Sequence, residues 1–189
     1  EADLTDGRAV DDFFYTRRPR YVFFCGVKSG GIGANQKYPA DLLLENILAE
    51  AHVISSAFRS GVAKLLYLAS ACVYPRLAPQ PMRPDSLMTG ALEPTSQSYA
   101  MAKLAGIELC RAYHRQFGAP FIVGIEGNEF GPDDEFSPEN SHVIAALIRR
   151  MHEAKVGGEP SVEIWGSGTP RRDFVFTEDL ADACIFAMR

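Results

Sequence analysis

A tyrosine and a lysine stand four residues apart in a segment with helical character. At this spacing Tyr99 and Lys103 lie on the same face of a helix. A phenol with a pKa of about 10 is a poor acid–base catalyst, but a neighbouring ammonium favours its phenolate. The pair could therefore transfer a proton to or from a substrate oxygen. Taken alone, this spacing is a weak signal, because chance surface pairs share it.

A serine strengthens the interpretation. Ser70 stands near the end of the apolar run 64–71, which has the composition of a buried strand. Ligands of open α/β sheets bind outside the carboxyl ends of the strands. A hydroxyl there can donate to a substrate oxygen while Tyr99 moves the proton. Together the three side chains predict chemistry at a carbonyl or carbinol carbon.

The segments around these residues alternate between strands and helices. We expect strands over 20–25, buried on both faces, and over 64–71, 121–125 and 162–165. Helices are expected over 39–60, from Tyr99 to near Gly118, over 143–152 and over 178–188. The first residues are expected to end a strand and enter a turn. This alternation predicts the α/β class, with a doubly wound parallel sheet.

Several longer motifs carry a resemblance to a known family. The extended short-chain dehydrogenases/reductases, which handle nucleotide sugars, have segments similar to Ser70–Pro75, Glu93-Pro94, Tyr99–Lys103 and Trp165–Phe174. Within that branch the chain resembles the GDP-L-fucose synthases over nearly its whole length. The motifs that carry this closer resemblance are Gly30-Gly31-Ile32, Tyr38–Asp41, Gln80-Pro81-Met82, Asn140–Val143 and Leu147–Arg150.

The resemblance implies an activity and roles for individual residues. That family epimerises GDP-4-keto-6-deoxymannose at C3 and C5 and then reduces the C4 ketone with NADPH. It implies a Rossmann-like fold and NADP as cofactor, with Ser70, Tyr99 and Lys103 serving the hydride step. Cys72 and His142 correspond to the acid–base pair of epimerisation. Cofactor contacts are implied for Asp3, Leu4, Ser70, Tyr99, Lys103, Asn128 and His142, and contacts with the nucleotide sugar for Arg150, Trp165 and Arg172.

Each of these residues also has a plainer interpretation. Cys72 could be a small buried hydrophobic residue, and His142 could make a local bond at a helix start. Trp165 could belong to the core. Arg172 could pair with Asp173 or Glu178.

Two features depart from the family pattern. The glycine-rich turn that holds a pyrophosphate is not found, since Gly31-Ile-Gly33 continues to Gln36 where a third glycine is needed. We therefore expect 1–130 to be a nucleotide-binding domain that lacks its first β-α-β unit, so that the fold is incomplete at its N-terminus. Residues 131–175 are expected to form part of a small C-terminal substrate lobe, and 176–189 a helix that returns to the first domain.

The second departure concerns charge. Where the family usually has Pro-Thr before its asparagine, this chain has Glu126 and Gly127, and Glu129 follows Asn128. Carboxylates beside a nicotinamide or a diphosphate would be repulsive unless they point away.

Composition narrows the partners. The net charge is −5 and no basic cluster is present, which argues against nucleic acid or an anionic membrane. Four scattered cysteines without metal-ligand spacing argue against zinc and indicate reduced thiols, and we expect a cytoplasmic protein. No apolar run reaches the roughly 18 residues of a membrane span. The family resemblance implies a homodimer formed through helices 41–60 and 99–117.

Three hypotheses remain at this stage. The leading one is a GDP-L-fucose synthase-like epimerase and reductase that acts on a nucleotide sugar. A near variant is another nucleotide-sugar epimerase, reductase or dehydratase of the same branch. The third is a non-catalytic descendant that keeps the fold as a structural or regulatory subunit.

Overall fold

The computed structural model describes residues 2–26, 28–138, 140–164, 166–169 and 171–189. In chain order its elements are α1 (Gly7–Arg17), β1 (Tyr21–Phe24), α2 (Ile32–Lys37), α3 (Pro39–Arg59), β2 (Lys64–Ser70), α4 (Gln97–Phe117), β3 (Phe121–Glu126), β4 (Asn128–Phe130), α5 (Val143–Gly157), β5 (Phe174–Phe176) and α6 (Thr177–Met188). Short 3₁₀ turns cover 71–73, 84–86 and 94–96.

The central sheet is parallel, in the order β1-β2-β3. Successive residues of β2 point to opposite faces. Leu65, Tyr67 and Ala69 pack with α3 and α4, whereas Leu66 and Leu68 pack with Cys184 and Met188 of α6. Helices therefore cover both faces of this strand, which explains its continuous apolar run. The arrangement confirms the α/β, doubly wound, Rossmann-like class.

The long helices begin and end where the sequence predicts. Pro39 occupies the first turn of α3, where its missing N–H costs nothing. Gly61 and Gly118 follow the ends of α3 and α4 with φ values of 66° and 67°. A glycine adopts this left-handed conformation without a Cβ clash. These two helices pack their side chains against β2, and α4 places Lys103 close to that strand.

The sequence predicts an apolar stripe on α3 made of Leu43, Ile47, Ala51, Ile54 and Phe58, and the buried face differs from it. Its buried residues are Leu42, Asn46, Ala49, Glu50, Val53, Ile54, Ser56 and Ala57, and Ile47 is 38 % exposed. The buried face includes polar residues, so a prediction from apolar residues alone placed this face about one position away from where it lies. Asn46 uses its place there to hold the loop after β1, because its side chain exchanges two 2.9 Å hydrogen bonds with the backbone of Lys28.

One local expectation was wrong, and two elements of the structure were not predicted. The expected strand over 162–165 does not form, since residues 162–164 lie outside any strand and Trp165 lies outside the described residues. The Arg150 guanidinium donates a hydrogen bond to the backbone carbonyl of Glu163. A separate two-stranded parallel sheet forms instead between β4 and β5. After the turn at 3–6, the unpredicted helix α1 begins behind its cap Asp6.

The first strand is also less buried than predicted. Phe24 is buried, but Tyr21 and Phe23 are 47 % and 45 % exposed. In the sheet that the structure describes, β1 is an edge strand, which accounts for this partial exposure.

The cysteines are free thiols in the fold. Cys110 and Cys184 are buried, Cys72 is half-buried and Cys25 is exposed. Among the helices that the structure describes, none is long and apolar enough to cross a bilayer.

The closest approach of α4 to β2 occurs at Gly106. A Cβ built there would lie 2.5 Å from the hydroxyl oxygen of Tyr67, whose side chain is fully buried. We expect Gly106→Ala to destabilise the full-length protein by about 1–3 kcal/mol, because a buried ring must move. Gly157→Ala, whose Cβ would meet nothing closer than 3.9 Å, is the matched control. Urea denaturation measures both, and equal midpoints for the two variants would contradict this packing.

Candidate active site

The carboxyl ends of the three central strands meet at one edge of the sheet. Cys25 follows β1, Ser70 ends β2 and Glu126 ends β3. Ser70 and Glu126 are direct partners in the parallel register. This edge is where open α/β sheets bind ligands.

Lys103 reaches this edge from α4 and is only 2 % exposed. Its Nζ donates to the backbone carbonyl of Leu68 at 2.9 Å. The same atom lies 4.9 Å from the ring centroid of Tyr67 and 5.9 Å from that of Tyr99. Both rings are within the range of a cation–π contact. Burial lowers the pKa of Lys103, and the carboxyl groups of Glu50 and Glu126 oppose that shift.

A buried carboxyl group and a buried phenol, those of Glu50 and Tyr67, lie close to this lysine. The hydroxyl of Tyr67 donates to Oε1 of Glu50 at 2.6 Å, and the two residues are 0 % and 1 % exposed. Burial raises the pKa of Glu50 to about 7, against the effects of the Tyr67 bond and the Lys103 charge. Sequence reasoning missed both residues. The sequence contained one signal for Glu50: it follows Asn46 by four residues, so both polar side chains lie on the same, buried face of α3.

Tyr99 opens the same helix and lies beside Cys72. Burial raises the pKa of Tyr99 well above its ordinary value, and the Cys72 and Glu126 groups add to the shift. Burial therefore outweighs the effect that the sequence led us to expect from the neighbouring Lys103 cation, which favours the Tyr99 phenolate. The phenol keeps its proton, so it is prepared to act as an acid rather than as a base.

Cys72 follows β2 in the 3₁₀ turn 71–73 and packs partly against the core. Burial raises the pKa of its thiol, whereas a hydrogen-bonding interaction with Ser70 and the charge of Lys103 lower it. The structure thus brings Ser70, Cys72, Tyr99 and Lys103 together. A thiol, a phenol and a hydroxyl group lie near one buried lysine.

His142 lies exposed at the start of α5, and its side chain makes no capping bond there. The local bond of the plainer interpretation is thus not formed. Its neighbour Ser141 approaches the glycine loop, since a Cβ on Gly31 would lie 3.2 Å from the Ser141 carbonyl oxygen. That loop leads into α2, which packs on the turn 94–96 just before Tyr99. These contacts connect His142 to the side of the site at which α4 begins.

The remaining predicted residues make contacts elsewhere in the protein. Asn128 donates to the Asp173 carbonyl through both its backbone and its side chain, at 3.1 Å each. The carboxylate of Asp3 accepts from Thr5, and Leu4 packs on the core. Arg150 bonds to the backbone of Glu163. Arg172 is exposed and donates to the Arg171 carbonyl at 2.7 Å, and Trp165 lies outside the described residues.

The described residues of this site do not form a set of ligands for a metal ion. Among the residues that the structure describes, no group of three or more His, Cys, Asp and Glu side chains could hold a metal ion. The polar groups at the edge are instead suited to bind and protonate an oxygen atom.

A comparison with protein families agrees with this geometry. The model of the NAD dependent epimerase/dehydratase family matches residues 1–189. The chain belongs to this family. Its relatives include GDP-L-fucose synthase 1 of Arabidopsis thaliana, which is 50 % identical over 188 residues covering 100 % of this chain and 58 % of the relative. The chain therefore spans little more than half the length of that curated relative.

Solved structures of family members superpose closely on this one. A GDP-mannoheptose C4 reductase from Campylobacter jejuni with NADP bound is 34 % identical with a TM-score of 0.90, covering 100 % of this chain and 64 % of that one. A GDP-L-fucose synthetase from Naegleria fowleri bound to NADP is 28 % identical with a TM-score of 0.86, covering 98 % and 61 %.

The buried carboxyl of this family member generates a prediction about stability. The pKa of Glu50 rises from an ordinary value of 4.5 to about 7, so the folded protein keeps a proton that the unfolded chain releases. This contribution to stability is complete below pH 4.5 and is lost as pH rises to about 7. Between pH 5 and 8 we expect the wild-type protein to lose about 3 kcal/mol relative to Glu50→Gln.

Urea unfolding of both full-length proteins across this pH range measures the difference. Glu108→Gln, on an exposed part of α4, is the control and should follow the wild type. A constant difference between the wild type and Glu50→Gln at all pH values would show that Glu50 does not titrate in this range.

Proposed function

We propose that the full-length protein containing this chain is a GDP-L-fucose synthase, a 3,5-epimerase and 4-reductase. It would convert GDP-4-keto-6-deoxy-D-mannose to GDP-L-fucose with NADPH. The observation that carries the proposal is the convergence of Ser70, Cys72, Tyr99 and Lys103 at one sheet edge. The identity of 50 % with the Arabidopsis thaliana enzyme supports the choice of substrate.

The residues at the edge fit a nicotinamide nucleotide. The Lys103 ammonium has three N–H donors and gives one to Leu68, so others can reach a ribose hydroxyl. NADP is proposed because it is bound in the two similar structures. Lys103, Tyr99 and Ser70 would hold its nicotinamide end, and Asp3, Leu4, Asn128 and His142 are further proposed contacts. When bound, the cofactor supplies the hydride.

Reduction of a ketone also needs a proton for the oxygen. The raised pKa of Tyr99, which burial causes, keeps that proton on the phenol until the oxygen gains negative charge. Ser70 donates a hydrogen bond to the same oxygen and orients it. The buried Lys103 charge then stabilises the phenolate that remains.

Epimerisation requires a proton to leave and return at a carbon next to the ketone. Cys72 lies beside Ser70 and Tyr99, whose hydroxyls would stabilise the enolate oxygen. His142 is the proposed partner that acts with Cys72. Acid–base help of this kind is typically worth roughly 10²–10⁴-fold in rate.

Binding of the nucleotide sugar and assembly complete the proposal. Arg150, Arg172 and Trp165 are proposed contacts of the substrate, since arginine binds diphosphates in a bidentate manner. A homodimer through α3 and α4 is supported by exposed apolar side chains on both helices, namely Leu44, Ile47, Met101 and Phe117.

A second candidate is a GDP-sugar 4-reductase without epimerase activity. The similarity to the GDP-mannoheptose C4 reductase, with a TM-score of 0.90, favours it. The presence of Cys72 and His142 favours the epimerase. A non-catalytic descendant is favoured by the two carboxyl groups that flank Asn128, and by the lack of a glycine-rich turn in this stretch of sequence.

Isotope exchange separates these candidates. In D₂O with GDP-4-keto-6-deoxymannose, the wild type should incorporate deuterium at C3 and C5 and oxidise NADPH. Tyr99→Phe should lower NADPH oxidation by about 10²-fold or more while deuterium still enters, because it removes the acid of the hydride step. Cys72→Ser should abolish the exchange. Tyr113→Phe, also on α4, is the control for a lost hydroxyl and should behave as the wild type.

The outcomes distinguish the three candidates. Oxidation without exchange in the wild type indicates the simple reductase. No NADPH binding at millimolar concentration by the folded protein contradicts both enzymes and leaves the non-catalytic descendant.

A further inference from the structure

Glu126 shares the site edge with the proposed catalytic groups. It is the last residue of β3 and the register partner of Ser70. Side chains of register partners lie on the same face of a parallel sheet. The Glu126 carboxyl therefore extends beside the Ser70 hydroxyl, at the edge where the ligand is expected.

The Glu126 carboxyl has a hydrogen-bonding interaction with the Glu129 carboxyl, but one of its two oxygen atoms is left without a partner in the part of the chain that the structure describes. Its Oε2 atom is buried and has no hydrogen-bond partner among the described residues. A buried polar atom left without a partner is costly, so an unused atom of this kind beside a site indicates a group that completes its bonding with a ligand.

The surrounding charges disfavour a carboxylate at this position. From α4, Lys103 and Tyr99 face Glu126; from β4, Glu129; from the segment after β1, Cys25; and from α6, Cys184. Lys103 is the cation among these groups, and Glu50 shares it from the other side. Two carboxyl groups thus compete for one ammonium, and a third, that of Glu129, lies beside Glu126.

The protonation state follows from this environment. Burial raises the pKa of Glu126 to about 8, and the neighbouring Glu129 carboxyl adds to the effect while Lys103 opposes it. At pH 7 the group is mostly a neutral acid. The repulsion between carboxylates and a cofactor that the sequence suggested is thereby removed at this position.

A neutral carboxylic acid offers one donor and one acceptor side by side. A primary carboxamide, such as the one on a nicotinamide ring, offers the complementary acceptor and donor. Resting on the proposed function, we propose that Glu126 is a ligand-binding residue that holds the carboxamide of the nicotinamide cofactor as a neutral acid. Loss of its proton removes the donor and places a negative charge beside an anionic dinucleotide, which weakens binding.

Calorimetric titration of the full-length protein with NADP⁺ between pH 6 and 9.5 tests this role. The wild-type Kd should be nearly constant up to about pH 8 and then rise about tenfold for each further pH unit. At pH 9.5 it should be about 30-fold higher than at pH 6. Glu126→Gln keeps a donor and an acceptor, so its Kd should match the wild type at pH 7 and stay nearly constant. Glu126→Ala should bind about 5- to 10-fold more weakly at pH 7.

Two controls make the test specific. Glu129→Gln removes the charge that raises the pKa of Glu126, so the rise in Kd should begin at lower pH. Glu108→Gln, on the exposed part of α4, should follow the wild type. Thermal unfolding at each pH confirms that every variant is folded.

The inference is overturned if Glu126→Gln loses affinity with pH as the wild type does, or if Glu126→Ala binds normally at pH 7. Either result would leave the proposed function standing, because the cofactor would still bind. Failure of the folded wild type to bind NADP⁺ at any pH would instead contradict the proposed function, and the inference would fall with it.

Discussion

The ammonium of Lys103 lies almost completely out of contact with solvent, and the surrounding elements are arranged to compensate it. An isolated buried charge costs several kcal/mol, so partners must come from the protein itself. The strand β2 supplies the Leu68 carbonyl and the Tyr67 ring, and α3 supplies Glu50. Each element that surrounds the lysine thus contributes a group that needs its neighbour in place.

This compensation explains features that a hydrophobic core alone would not require. The small residue Gly106 lets α4 approach β2 until the backbone meets the Tyr67 hydroxyl. The phenol of Tyr67 needs a partner at that depth and finds it in Glu50 at 2.6 Å. The same low-polarity surroundings raise the pKa of Tyr99 through burial, which keeps the proton on the phenol until a substrate oxygen takes it. Structure and proposed chemistry therefore depend on one buried environment.

The sequence predicted the parts of the fold that local patterns determine. Apolar runs located β1, β2 and β3, and glycines in the left-handed conformation marked the ends of α3 and α4. The pairing of β4 with β5 was missed because it joins three-residue segments whose partners are 46 positions apart in the chain. The Tyr67–Glu50 pair was not predicted either. Glu50 is a polar residue on the buried face of α3, and it disrupts the apolar periodicity from which that face is recognised. The clustering of Ser70, Tyr99 and Lys103 followed from strand-end and helix spacing, whereas the roles of Cys72 and His142 came from family resemblance.

The central claim is that the sheet edge around Lys103 is where the nicotinamide end of the cofactor binds. A crystal structure of the full-length protein grown with NADP⁺ tests it most directly. We predict hydrogen bonds from Lys103 and Tyr99 to the nicotinamide ribose, with Lys103 still bonded to the Leu68 carbonyl. A dinucleotide bound away from this edge, or an edge that stays empty at saturating NADP⁺, would contradict the claim.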